Sequence, residues 1–282
     1  MIWRFETGDE VVGSGAVVDG LLFIGSQDNI LYALDALTGD LVWSFETGAQ
    51  IYASPAIAAG LVVIGSSDST LYALEQGSGE LMWSLDLGRQ IWSSPAIVDG
   101  IVYIGSWSGL LSAIDLATGD LLWEAETDGQ IWSTPVVRDD RIYVGNNGGA
   151  LYAFAREDGA EIWRFATGDD VNSAVVVSED RVIFGSVDGT VYAVDVESGE
   201  EVWRFTAGEP FYASPSLVED VVLIAGEAGG LLHALDATTG DELWRIQTGN
   251  PGNNRSSSAW IVDGVLYIGS NDDRIYALAP PE

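Results

Sequence analysis

Tryptophan recurs at Trp3, Trp43, Trp83, Trp123, Trp163, Trp203 and Trp244, a spacing of 40 residues with one extra residue in the last interval. A unit of this length cannot bury an apolar face alone, so neighbouring copies must pack on one another in an array. The repeat runs from end to end without a linker, which predicts one domain over residues 1–282.

Each copy reads as four short strands. In the second copy they fall at residues 51–57, 61–66, 71–74 and 81–85, rich in Val, Ile, Leu, Tyr and Trp and separated by turns bearing Gly60, Asp68 and Gly79. No window remains for a helix of about ten residues or more. The chain is therefore expected to be all-β. Four antiparallel strands repeated seven times predict a seven-bladed β-propeller, an architecture that closes radially and hides most strand edges. Pro55, Pro95, Pro135 and Pro215 fall inside the first strand by this reading, which makes that strand an edge lining the central channel. The first copy is left with a surplus Trp3 strand and the last lacks its Trp-bearing strand. Residues 2–7 are accordingly expected to form the outer strand of blade seven and close the ring.

The repeat reads Ser-Ser-Pro-Ala, then Tyr-Ile-Gly-Ser, then Leu-Tyr-Ala-Leu-Asp, then Leu-x-Trp-x-Phe-x-Thr-Gly; its clearest copies run through Leu31-Tyr32-Ala33-Leu34-Asp35 to Trp43 and Ser94-Pro95-Ala96 to Trp123. This pattern resembles the tryptophan-docking repeat of the PQQ-like (quinoprotein-type) β-propeller family over essentially the whole chain. The resemblance implies that the seven tryptophans dock between blades as structural residues. Its enzymatic members are alcohol and sugar dehydrogenases that hold pyrroloquinoline quinone (PQQ) with Ca²⁺, commonly beside a vicinal cysteine pair. This chain has no cysteine. Nearly every residue is consumed by the scaffold, so the sequence is more similar to the non-enzymatic branch of BamB-like scaffold proteins and sensor modules. A protein or peptide partner, no catalytic residue, no resident cofactor or metal, and an extracytoplasmic location are what that branch implies. A PQQ-dependent oxidoreductase, a PQQ-binding relic, and an engineered or recently amplified propeller without a selected ligand are the alternatives.

Comparison of copies separates scaffold from positions free to specialise. Inner-strand positions Val11, Ile51, Ile91, Ile131, Val171 and Phe211 are always apolar and are expected to pack between blades. Their neighbours vary as Val12, Tyr52, Trp92, Trp132, Asn172 and Tyr212, and alternation along a strand turns them the other way. Tyr52, Trp92, Trp132 and Tyr212 are thus candidates for an aromatic platform, fringed by Gln50, Gln90, Gln130 and Asp170 two residues earlier. The same rings would also serve simply to fill the channel. Trp107, an aromatic in a turn that is polar in other copies, and Arg255, in an extended segment of the last copy, complete the candidate set. Asp28, Asp68, Asp188 and Asp272, and likewise Asp35, Asp115, Asp195 and Asp236, read as turn-capping residues. His233 replaces the usual Tyr and reads as a packing substitute.

Charge excludes several partners. The 43 acidic residues against 11 basic ones give a formal net charge of -32, which repels nucleic acid and anionic membrane surfaces and attracts basic partners. No apolar run is long enough to span a bilayer. The first residues already read as repeat sequence and not as an export signal. Molar salt would screen the self-repulsion, so a halophilic source is the expected explanation of the composition, with a solubility-optimised engineered chain or an ordinary acidic protein as the alternatives.

Overall fold

The computed structural model describes residues 2–227, 230–248, 258, 260–262, 265–270 and 274–278. Every element in it is a strand. Tertiary contacts divide the chain into two compact units, residues 1–137 with 156–160, and residues 138–155 with 161–282.

The first unit contains three meanders: β1 (Ala16–Val18), β2 (Leu21–Gly25), β3 (Ile30–Asp35) and β4 (Leu41–Glu46); β5 (Ala56–Ala58), β6 (Leu61–Gly65), β7 (Thr70–Glu75) and β8 (Leu81–Asp86); β9 (Ala96–Val98), β10 (Ile101–Gly105), β11 (Leu110–Asp115) and β12 (Leu121–Glu126). The chain passes into the second unit within β13 (Val136–Arg138), followed by β14 (Arg141–Asn146), β15 (Ala150–Ala155) and β16 (Glu161–Ala166). Next come β17 (Val176–Val177), β18 (Arg181–Gly185), β19 (Thr190–Asp195) and β20 (Glu201–Thr206), then β21 (Ser216–Val218), β22 (Val221–Ala225), β23 (Leu231–Asp236) and β24 (Glu242–Gln247). The last sheet holds β25 (Trp260–Val262), β26 (Val265–Ser270) and β27 (Arg274–Leu278). Among the described residues six sheets have four strands and the seventh has three, each in sequence order with antiparallel neighbours.

The core is built where the middle strands of one sheet meet the next. In the first unit, Phe23, Leu31 and Trp43 of one sheet pack with Ile51, Val62 and Ile64 of the following copy, all buried. Ile51 fits because Gly25 has no side chain: a Cβ there would lie 2.3 Å from Ile51 Cγ2. Ile91 and Ile131 use Gly65 and Gly105 in the same way.

Two expectations are corrected. The first strand is shorter than the apolar run suggests, and Pro55, Pro95, Pro135 and Pro215 stand immediately before it instead of inside it. The backbone of the preceding segment is satisfied by the neighbouring copy: Ser14 N–H donates to Ser54 Oγ at 2.8 Å, and Ser54 N–H to Ser94 Oγ at 2.9 Å. The first strand remains an edge of its sheet, and β5 lies beside both β1 and β9. Val11 also departs from its series. It is 46% exposed while Ile51, Ile91, Ile131, Val171 and Phe211 are fully buried.

Residues 2–7 carry no assigned strand. Side-chain contacts attach them to the first sheet. Trp3 Nε1 donates to Ala36 O at 3.0 Å, and its ring lies against Gly39. Trp43 repeats this arrangement with Gln76 O and Gly79, and Trp83 with Leu116 O and Gly119. In the second unit Trp163 and Trp203 donate to Val196 O and Ala237 O.

Candidate functional site

Turn chemistry sets the frame of the site. Asp28 accepts from the Tyr32 hydroxyl at 2.6 Å, from Ile30 N–H at 3.0 Å and from Gly8 N–H at 2.6 Å. Asp68 and Asp188 repeat the arrangement with Tyr72 and Gly48, and with Tyr192 and Gly168. One carboxylate thus ties its own turn to the segment that follows the preceding outer strand. Burial alone would raise the Asp28 pKa, but the hydrogen bonds from Tyr32, Gly8, Ile30 and Ser26 outweigh it and hold the carboxyl below its ordinary value. Burial and the same bond push the Tyr32 phenol up to about 12. Asp272 lies outside the described residues.

The residue just before that position, which is Asp28, Asp68 and Ser108 in the first three sheets, varies as Gln27, Ser67 and Trp107. Its backbone is fixed: Gln27, Ser67 and Trp107 donate N–H to Glu10 O, Gln50 O and Gln90 O. Those bonds hold each turn to the inner segment of its own copy, while Ile51, Ile91 and Ile131 donate N–H back to Ser26 O, Ser66 O and Ser106 O, which brings the turn against the variable inner positions of the next copy. Tyr52 Oη donates to Gln50 Oε1 at 2.9 Å and approaches Gln27 Oε1 at 3.4 Å. Trp92 Nε1 donates to Ser67 Oγ at 3.1 Å, and Trp132 Nε1 to Gln130 Oε1 at 3.2 Å.

The rings themselves form one row within the first unit. Centroids of Tyr52 and Trp92 are 4.5 Å apart, Trp92 and Trp107 4.5 Å, Trp92 and Trp132 5.3 Å, and Trp107 and Trp132 5.7 Å. All four are partly exposed. Gln90 Oε1 and Trp107 Nε1 are enclosed there without a hydrogen bond, a condition that costs roughly 1–3 kcal/mol per group. The arrangement offers apolar ring surface with amide donors and acceptors at its edge.

The remaining candidates belong to the second unit. Asp170 accepts from Asn172 Nδ2 at 3.2 Å, the same two-residue relation as Gln50 with Tyr52, and its pKa is raised chiefly by burial. Tyr212 is 45% exposed. Arg255 lies outside the described residues, so the extended segment of the last copy is not placed. Sequence reasoning missed Gln27 and Ser67; their signal is variation at the repeat position already marked by Trp107.

Reading His233 as a packing substitute also missed its neighbours. The ring is 1% exposed, with Nε2 3.2 Å from Glu209 Oε1 and Nδ1 2.8 Å from Glu242 Oε1. Gly226 stands where other copies have Ser26, Ser66 or Ser186, and a Cβ there would lie 2.3 Å from Glu209 Cδ. The missing side chain makes room for the buried carboxylate. The two ring nitrogens face opposite carboxylates, an arrangement that orients the imidazole and does not converge on a metal.

Seven successive antiparallel sheets with indoles docked on the next copy define a β-propeller of the PQQ-like repeat type. The chain belongs to the family described as beta-alanine-activating enzyme, beta-propeller, which matches residues 1–279. Its fold is similar to that of BamB from Moraxella catarrhalis, with a TM-score of 0.84 and 24% identity over 98% of this chain and 85% of that one. It is also similar to the computationally designed Ika8 protein, with a TM-score of 0.62 and 17% identity over 97% of each chain. Comparison with curated proteins gave no match.

Proposed function

We propose that this chain is a non-catalytic protein-binding scaffold or sensor module that holds an extended peptide on the Tyr52, Trp92, Trp107 and Trp132 row. The observation that carries the reading is the convergence of four rings from successive turns and inner segments on one place, beside the unbonded Gln90 Oε1 and Trp107 Nε1. A peptide supplies both complements, apolar side chains for the rings and backbone groups for the amide and the indole. The BamB-like fold supports the scaffold reading, and the repeat's resemblance to scaffold proteins of outer-membrane assembly extends it to an extracytoplasmic location. The charge argues against nucleic acid as the partner.

PQQ does not fit this row. A planar quinone would need a slot between rings that already touch at 4.5 Å and 5.3 Å. Among the described residues no group of three or more His, Cys, Asp or Glu is placed to hold the accompanying Ca²⁺. Addition of PQQ and Ca²⁺ is expected to leave the melting temperature unchanged. A bound ligand at about 100 times its dissociation constant would stabilise by about 2.7 kcal/mol.

Selection of a random peptide library on the protein, followed by fluorescence anisotropy with the enriched peptides, tests the proposal. Trp92→Ala and Trp132→Ala should each weaken binding about tenfold or more. Gln27→Ala, at the margin, should weaken it less. Enrichment of no peptide, or binding indifferent to both tryptophan changes, would overturn the reading.

A further inference from the structure

The outer strands of the two units differ at two fixed repeat positions. β4, β8 and β12 begin with Leu41-Val42, Leu81-Met82 and Leu121-Leu122, and each of these six side chains is between 43% and 56% exposed. β16, β20 and β24 begin instead with Glu161, Glu201 and Glu242 and carry Arg164, Arg204 and Arg245 three residues later. Arg204 pairs with Glu201, and Arg245 Nη1 is 3.9 Å from Glu242. At that later position the first unit has Ser44, Ser84 and Glu124.

A repeated bulge explains why two consecutive aliphatic residues both face outward. Ala33 opposes Trp43 and Leu34 opposes Leu41, so the ladder skips Val42. Met82 and Leu122 are skipped in the same way. A bulge re-aims side chains and blunts an edge against strand addition. The bulge thus turns both side chains of each pair outward at the start of the outer strand. A docked indole stands between successive pairs: Trp43 lies on Gly79, two residues before Leu81, and Trp83 lies on Gly119, two residues before Leu121.

The ends of the strip are acidic, with Asp40 and Glu46, Glu80 and Asp86, and Asp120 and Glu126, and the three strands contain no basic residue. Exposed apolar side chains recurring on three successive outer strands and rimmed by carboxylates have the character of an interaction site. A second copy would bring the same acidic margin and a further net charge of -32, which opposes self-association.

We infer that the strip formed by Leu41, Val42, Leu81, Met82, Leu121 and Leu122 docks a protein segment whose apolar side chains are interleaved with lysine or arginine. The apolar groups cover the aliphatic pairs, and the cations meet the flanking carboxylates.

The test transplants the second unit's chemistry into the first. The combined variant Leu41→Glu, Ser44→Arg, Leu81→Glu and Ser84→Arg keeps the formal net charge at -32. The probe is a fluorescent peptide of alternating leucine and lysine, with a twin in which serine replaces leucine. The unmodified protein should bind the leucine peptide roughly tenfold or more tightly than its twin. The variant, shown to be folded by circular dichroism and its melt, should bind the two alike. Equal binding of both peptides by the unmodified protein, or full discrimination by the variant, would overturn the inference. So would a dimer in sedimentation that the variant abolishes, because that result assigns the strip to a second copy. Trp92→Ala and Trp132→Ala should leave this binding intact, which separates it from the aromatic-row reading.

Discussion

Gln27 and Tyr52 meet across two successive sheets, with Tyr52 Oη 3.4 Å from Gln27 Oε1 although 25 residues separate them. The same interval brings Ser67 to Trp92 and Trp107 to Trp132. In these three pairs a turn residue of one copy faces the variable inner residue of the next, and the candidate site is assembled from pairs of specialised positions.

That relation predicts an unequal cost for two tryptophans. Trp107→Ser loses ring contacts of about 0.5–1.5 kcal/mol but removes an unbonded buried N–H, whose presence costs roughly 1–3 kcal/mol. Trp43→Ala loses a docked indole at about 3–5 kcal/mol. Urea unfolding should rank Trp107→Ser well below Trp43→Ala, and equal losses would contradict the functional assignment of Trp107.

Gly79 and Gly60 have left-handed φ values of +73° and +79°, so both resist side chains. A Cβ at Gly60 would meet nothing within 4 Å, whereas one at Gly79 would lie 2.7 Å from the Trp43 ring. Gly60→Ala should cost about 1–2 kcal/mol and Gly79→Ala about 1–3 kcal/mol more. Chemical denaturation of the two variants measures the difference.

The pKa values of Asp35, Asp115, Asp195 and Asp236 are held below the ordinary carboxyl value first by backbone N–H groups from Thr38, Thr118, Ser198 and Thr239. A carboxyl depressed in the folded state stabilises above its unfolded pKa, and that contribution is lost as pH falls through the folded value. Replacing all four with Asn should therefore flatten the loss of stability on acidification below the ordinary carboxyl value. The comparison is made between variant and parent melts, so the relief of overall self-repulsion on the acid side largely cancels.

A net charge of -32 makes self-repulsion a cost that salt removes. The melting temperature should rise as NaCl goes from about 0.01 M to about 1 M, where the Debye length shrinks from ~30 Å to ~3 Å. A flat or falling melt would remove the case for a halophilic origin.

Removing residues 1–8 takes away the Trp3 indole bonded to Ala36 and the Gly8 N–H bonded to Asp28. A loss of about 3–5 kcal/mol, or roughly 10 °C in the melt, is expected from the indole alone. An unchanged melt would show that the segment contributes nothing to closure or to the first sheet.

Much of the fold was legible because the 40-residue recurrence states the same packing problem repeatedly, and Ile51 against Gly25 is its local solution. Turn roles were legible at Asp35, whose Oδ1 accepts from Leu37 and Thr38 N–H within a few residues. The limits of the first strand were not, because Ser54 N–H bonds to a serine 40 residues away. Nothing local distinguishes that partner from a strand neighbour.

The sequence by itself determined an all-β chain of seven copies, because indole spacing, strand alternation and turn residues are local or periodic properties. Only the tertiary structure decided that Gln27 and Ser67 belong with Tyr52 and Trp92, and that His233 lies between Glu209 and Glu242. It also decided that Leu41-Val42, Leu81-Met82 and Leu121-Leu122 face solvent together. Those facts depend on which residues of successive copies meet and on where a bulge turns a side chain, and both are set by packing between sheets.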